Sequence, residues 1–139
     1  MKSVIAIVFG LLVMNAYASK CEAVKEAGFS RANKGMTHFR NARAAYKDAQ
    51  EFAKDNLKTQ TDSNLKYLCD KLEYTFFQAK KCQEHYAASV LYYESVEQHC
   101  SDKDFRLANE NITDMTQNVD YCQDLMRKSK THFHNGCNR

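Results

Sequence analysis

The chain has 139 residues, with 20 basic and 17 acidic side chains and a formal net charge of +3. A charge so near balance does not indicate a nucleic-acid-binding protein, which would gather a basic excess on one face. The chain contains no proline and only four glycines. Because these two residue types are the strongest helix breakers, the composition permits unusually long helices.

Residues 1–18 have the pattern of a secretory signal peptide. An amino-terminal lysine precedes an apolar run at 4–14, and the small-x-small sequence AYA that ends at Ala18 is typical of a cleavage site. Cleavage there leaves a single domain at 19–139, with 19 basic and 17 acidic residues. No other stretch approaches the ~20 apolar residues of a membrane-spanning helix. We therefore expect an exported protein, secreted or periplasmic, with no membrane span after the segment is removed.

Three long helices are predicted within this domain, at about 21–58, 62–99 and 102–135. In each of them apolar residues recur at a spacing of three to four, and no run alternates with a period of two. For the first helix, this pattern places the large side chains Phe29 and Met36 on the buried seam.

Two polar stretches separate the helices. The sequence KTQTDSNL offers Thr61 or Asp62 as an N-cap, and HCSDKDF offers Ser101. Because both connections are short, sequential helices should be antiparallel neighbours. The predicted fold is all-α, an elongated antiparallel three-helix bundle.

Six cysteines in an exported chain predict three disulfides, for which fifteen connectivities exist. In antiparallel helices, residues at the same height have numbers that sum to about twice the number at the centre of the turn. The first turn predicts a sum near 120, and the second predicts a sum near 204. The pairs that fit are Cys21–Cys100, Cys82–Cys122 and Cys69–Cys137. Cys69 and Cys82, which lie too far apart on one helix to bond each other, thus each bridge the second helix to the third.

An incomplete second stripe of large apolar residues lies off the main seam of the second helix. A helix that touches both neighbours is expected to have a wide apolar face, so the stripe has a structural explanation. The alternative is an exposed patch that binds a protein partner. Its candidate residues are Tyr67, Tyr74, Phe77, Leu91 and Tyr92.

A second functional hypothesis is a carrier that holds a small apolar ligand between its helices. Large aromatic side chains are available either to line such a cavity or to fill it: Phe76, Phe77, Tyr86, Tyr93, Phe105 and Phe133. A third hypothesis, a metal scavenger, rests only on His132 and His134, which lie two residues apart and so on different faces of a helix. We therefore predict no metal site and no cofactor.

The sequence contains no motif of a known catalytic chemistry, such as GxSxG, HExxH or a glycine-rich phosphate loop. We therefore do not predict an enzyme. Asn111 begins the sequon Asn-Ile-Thr and is a glycosylation candidate in a eukaryotic host. The sequence thus predicts a secreted, non-catalytic protein that recognises a protein partner through a helix face.

Overall fold

The computed structural model describes the backbone of residues 2–56 and 61–137, and the side chains of 19–56, 61–101 and 103–137. Three long helices and one single-turn helix make up this part of the chain. They are α1 (Lys2–Asn56), α2 (Asp62–Glu94), α3 (Val96–His99) and α4 (Asp102–Cys137). Removal of the predicted signal segment, whose side chains lie outside the described residues, stays a prediction.

The helices form an elongated antiparallel bundle in which α2 is the central helix. Both α1 and α4 pack along the length of α2, whereas α1 and α4 contact each other at far fewer points. The 33 residues of α2 make it about 50 Å long at a rise of 1.5 Å per residue. The predicted all-α three-helix bundle is therefore confirmed.

All three predicted disulfides are present. Cys21 bonds to Cys100 with a Cα–Cα distance of 5.0 Å. The corresponding distances are 5.9 Å for Cys69–Cys137 and 6.0 Å for Cys82–Cys122. One bridge joins α1 to the end of α2–α3, and the other two join α2 to α4, so every long helix is covalently tied to the central one.

Small residues at heptad spacing form the face of α1 that packs on α2. They are Gly28, Gly35, Ala42 and Ala49, and each of them is buried. Their partners on α2 follow the same numerical sum as Cys21 and Cys100. Tyr93 faces Gly28 and Tyr86 faces Gly35, while Ala79 and Leu72 are the residues level with Ala42 and Ala49. The two tyrosine rings thus fill the space that the two glycines leave.

The prediction that Phe29 and Met36 lie on the buried seam of α1 is wrong. Both side chains are exposed, because the neighbouring glycines, Gly28 and Gly35, occupy the seam instead. A pattern that passes over glycine misplaces the seam at these two positions by one residue, or about 100° around the helix.

Three apolar clusters follow one another along the bundle. One contains Tyr46 and Leu72, a second is built on the Cys82–Cys122 bridge with Tyr86, and the third contains Tyr93. Side chains of all three long helices contribute to these clusters. The core is therefore a row of three clusters along the bundle rather than a single globular centre.

The predicted second helix is interrupted at Ser95. The backbone N–H of Ser95 is shared between the carbonyl groups of Leu91 and Tyr92, and its hydroxyl donates to the carbonyl of Tyr92 at 2.7 Å. The chain continues at once into α3, which buries Val96 completely. α3 ends at His99, and Cys100 has an extended backbone that ends the helical segment.

Polar side chains cap the second and fourth helices. The hydroxyl of Thr61 accepts a hydrogen bond from the backbone N–H of Asn64 at 3.2 Å. At the start of α4, the hydroxyl of Ser101 donates to Asp104 at 2.7 Å, and the Asp104 carboxylate accepts the backbone N–H of Ser101. Lys25 of α1 lies 3.1 Å from the same carboxylate. These hydrogen bonds lower the pKa of Asp104 and join the start of α4 to α1.

Within the described part of the chain, none of the helices contains an apolar stretch of the length that a bilayer requires.

Candidate functional site

The α2 residues predicted to bind a partner are all solvent-exposed. Tyr74 is 46% exposed, Phe77 52%, Leu91 67% and Tyr92 36%. At 100° per residue these four side chains lie within an arc of about 100°, on the side of α2 away from its buried residues. We call them the outer face of α2. The structural explanation of the stripe, that α2 needs a wide apolar face for packing, therefore does not apply to these four residues.

The outer face of α2 consists of two apolar points rather than one continuous patch. Tyr74 and Phe77 form one, and Leu91 and Tyr92 form the other, about 21 Å further along the helix. Charged residues lie between them. Lys81 lies 5.9 Å from the centre of the Phe77 ring and 3.0 Å from the carboxylate of Glu84, which lowers the pKa of Glu84.

Tyr67, the fifth predicted residue, has a different environment. Its ring lies 4.5 Å from the ring of Phe52 on α1, centre to centre, and 5.5 Å from the ammonium group of Lys71. Lys71 in turn pairs with Asp48 of α1 at 3.2 Å. Tyr67 therefore contributes to the edge between α1 and α2, although it is still exposed.

A second group of exposed apolar side chains, on α1 and α4, was not predicted as a site. It includes Phe29 and Met36 of α1 and Leu107 and Tyr121 of α4. Phe29 and Leu107 line one groove of about 240 Å³, and Tyr121 lies 6.5 Å from Phe39, centre to centre. Phe29 and Met36 are seven residues apart and therefore lie on one face of α1. The sequence showed this spacing, but the face was predicted to be buried.

A large cavity lies between α1 and α4 and has α2 as its floor. Its volume is about 430 Å³. None of the six aromatic residues predicted to line or fill a ligand cavity borders it. Tyr86 and Tyr93 are buried in the core clusters instead, and Phe76 and Phe133 border a smaller groove between α2 and α4. The cavity is lined by Ala49, Gln50, Ala53, Lys54, Leu68, Leu72, His132, Asn135 and Gly136.

Two histidines stack across the interface between α1 and α2. The ring centres of His38 and His85 lie 5.3 Å apart, and the rings are nearly parallel. The Nδ1–H of His38 donates to Gln78 Oε1 at 2.6 Å, and Arg31 donates to Nδ1 of His85 at 3.4 Å. This second bond requires an unprotonated Nδ1 and thus the neutral form of His85.

We expect His85 to make the fold less stable in mild acid. Burial and the nearby His38 lower the pKa of His85 from its ordinary 6.5, and the positive charges of Arg31 and Lys34 act in the same direction, with Glu84 opposing them. The unfolded chain therefore takes up a proton near pH 6.5, whereas the folded chain does so only at lower pH. Stability should fall as the pH drops below about 6.5.

Urea unfolding followed between about pH 7.5 and about pH 5 measures this loss. The non-titrating variant His85→Gln should lose less stability over this interval than the wild type does. An unchanged pH dependence in His85→Gln would contradict the prediction. The carboxyl groups with lowered pKa, Glu84, Asp104 and Asp124, affect stability only at more acidic pH.

His132 and His134, the weak metal candidates, are both exposed and have different neighbours. The ring of His132 lies 5.8 Å from that of Tyr46 and borders the large cavity, whereas the ring of His134 lies 6.5 Å from that of Phe133. Among the described residues, no group of three or more His, Cys, Asp or Glu side chains is arranged to hold a metal ion.

Asn111, the glycosylation candidate, is half-buried on α4. It borders the same groove as Phe29 and Leu107, while the adjacent Ile112 packs against the cluster that contains Tyr93. The side chain of Asn111 is thus only partly open to solvent, and use of the sequon stays a prediction.

Comparison of the chain with protein-family models, with curated proteins and with solved structures finds no match. The arguments for function therefore rest on the surfaces and cavities of the chain itself.

Proposed function

We propose that this protein is exported and acts as a non-catalytic recognition protein, binding a protein partner through the outer face of α2. The observation that carries the proposal is the exposure of Tyr74, Phe77, Leu91 and Tyr92 on the central helix of the bundle. Tyrosine and phenylalanine are enriched in protein interfaces, and tyrosine is a typical hot-spot residue.

The bundle suits this function because it presents the outer face as a rigid surface. α2 is covalently joined to α1 through its extension at Cys100 and to α4 through two further bridges. A surface that is already ordered loses little conformational entropy on binding, which favours affinity. The three disulfides and the predicted signal peptide both fit an extracellular setting.

The distance between the two apolar points of the outer face indicates how a partner would contact it. Phe77 and Leu91 are fourteen residues apart, or about 21 Å along α2. A helix on the partner that packs along α2 would meet both points with apolar residues separated by two heptads. The charged side chains of Lys81 and Glu84 lie between these points and would form polar contacts.

The test compares single alanine variants for binding of the partner that copurifies with the wild-type protein from its native source. Phe77→Ala should weaken binding by roughly thirtyfold, the size expected for a central aromatic anchor. Because Phe77 is half-exposed, its loss should change the free energy of unfolding by only about 0.5 kcal/mol.

Tyr121→Ala is the matched control, since Tyr121 is as exposed as Phe77 but lies on α4. It should leave binding of the partner unchanged. Equal weakening by the two variants, or full binding by Phe77→Ala, would show that the outer face of α2 is not the interface.

A further inference from the structure

The large cavity lies near one end of the bundle, where the α2 residues that pack against α1 are smaller than they are further along the seam. At Gly28 and Gly35, the rings of Tyr93 and Tyr86 fill the space beside α1. Further along α1, Ala49 and Ala53 are again small, but the floor of the cavity is formed by leucines of α2 instead of tyrosines. Leucine does not extend as far between α1 and α4 as tyrosine does, so a hollow remains.

The lining of this hollow is apolar at its floor and polar at its rim. Ala49 and Leu72 are buried, and Ala53, Leu68 and Gly136 are half-buried. The side chains of the rim, which are all exposed, belong to Gln50, Lys54, His132 and Asn135. Its volume of about 430 Å³ lies within the range of small-molecule sites.

The charge of the rim favours an anion. Lys54 lines the cavity, and no aspartate or glutamate occurs among the described residues that line it. Two other grooves differ in this respect. In one of them Lys25 already pairs with Asp104 at 3.1 Å, and the lining of the other includes both Glu73 and Lys130.

We propose that this cavity binds a free fatty acid of medium chain length. The alkyl chain lies on the apolar floor formed by Ala49, Ala53, Leu68 and Leu72, and the carboxylate lies at the rim beside Lys54. Burial of the chain supplies most of the affinity, because apolar surface is removed from water. The exposed ion pair with Lys54 selects for a carboxylate head group. This site is separate from the outer face of α2, so it does not depend on the partner proposed above.

Titration of the disulfide-bonded protein with decanoate, decanol and decyltrimethylammonium tests the site by calorimetry and by NMR chemical shifts. The three probes share an alkyl chain and differ in the charge of the head group. We expect one decanoate per chain, with the largest shift changes at Ala49, Ala53 and Gly136. Decyltrimethylammonium should bind at least tenfold more weakly, because its cation meets Lys54.

Two variants test the contribution of the alkyl chain and that of the carboxylate to binding separately. Ala53→Leu places a larger side chain in the cavity and should weaken both decanoate and decanol at least tenfold. Ala44→Leu is its control, because Ala44 is exposed and lies nine residues away, on the opposite side of α1. Lys54→Glu should weaken decanoate about tenfold and leave decanol unchanged.

Several results would overturn the proposal. They are the absence of saturable binding of decanoate, shift changes that map to the outer face of α2, and equal effects of Ala53→Leu and Ala44→Leu. Equal affinity for decanoate and decyltrimethylammonium would overturn the assignment of a carboxylate. Circular dichroism of each variant, which should show unchanged helicity, ensures that a lost site is not mistaken for a lost fold.

Discussion

Replacing Cys82 and Cys122 together by alanine is expected to lower the free energy of unfolding by about 5 kcal/mol. The bridge closes a segment with a sequence separation of 40, and the chain-entropy relation assigns about 3.9 kcal/mol to such a constraint. Both cysteines are also completely buried, in the cluster that contains Tyr86. Loss of two packed sulfur atoms adds about 1 to 2 kcal/mol.

The double variant Cys69→Ala/Cys137→Ala is the matched control. This bridge has a greater sequence separation, 68, but both of its cysteines are only half-buried. The same relation assigns about 4.4 kcal/mol to this longer loop, so the control should lose about 4.4 kcal/mol, still less than the loss of about 5 kcal/mol or more that is expected for the buried bridge. Urea unfolding of both double variants measures the difference. A greater loss in the control would show that loop length, and not burial of the sulfur atoms, determines the contribution of each bridge.

The disulfides were predictable because, in a long antiparallel bundle, the register of two helices determines which residues lie at the same height. Once the turns are located, the heights of all residues follow. Cys21 and Cys100 then face each other, and the same register brings Gly28 to Tyr93 and Gly35 to Tyr86. Proline-free helices of this length leave little room for a different topology.

The seam of α1 was not predicted correctly at Gly28 and Gly35, because an apolar pattern passes over glycine. Glycine and alanine carry little hydrophobicity, yet Gly28 and Gly35 define the buried face because α2 supplies large rings opposite them. The position of Phe29 therefore depends on a partner helix and not on its own hydrophobicity. A search for matched small and large residues across the two helices would have found the correct seam.

The candidate sites were harder to predict than the fold, because they depend on contacts between different helices. The histidine stack joins His38 and His85 of different helices, so a search for two histidines four residues apart on one helix does not detect it. The large cavity depends on the difference in reach between tyrosine and leucine beside α1. The outer face of α2 was visible in the sequence as a stripe, but its exposure was decided by the directions from which α1 and α4 approach.

The contact between Gly35 and Tyr86 provides the sharpest test of the register. A Cβ atom at Gly35 would lie 3.0 Å from Cγ and Cδ1 of the Tyr86 ring, near the ring's attachment to the backbone. Tyr86 is 2% exposed and packs on the Cys82–Cys122 bridge, so it has little space to move. Gly35→Leu should therefore cost about 3 kcal/mol through overpacking, although leucine has the higher helix propensity.

A control for helix propensity is Gly136→Leu, because a Cβ atom there meets nothing within 4 Å. This variant should leave the free energy of unfolding unchanged or raise it by up to about 1 kcal/mol. If Gly35→Leu behaved in the same way, the close packing of Tyr86 against α1 would be contradicted.

In the background of Tyr86→Ala, the effect of Gly35→Leu should change sign. Tyr86→Ala alone is expected to cost about 4 kcal/mol, because it removes a large ring from the core and leaves a cavity. A leucine side chain at position 35 would then enter the space that the ring has left, and should restore about 1 to 2 kcal/mol. A double-mutant cycle of urea unfolding curves measures this coupling. Because the sign can invert only if the two positions share one volume, additive effects would show that Gly35 and Tyr86 do not face each other.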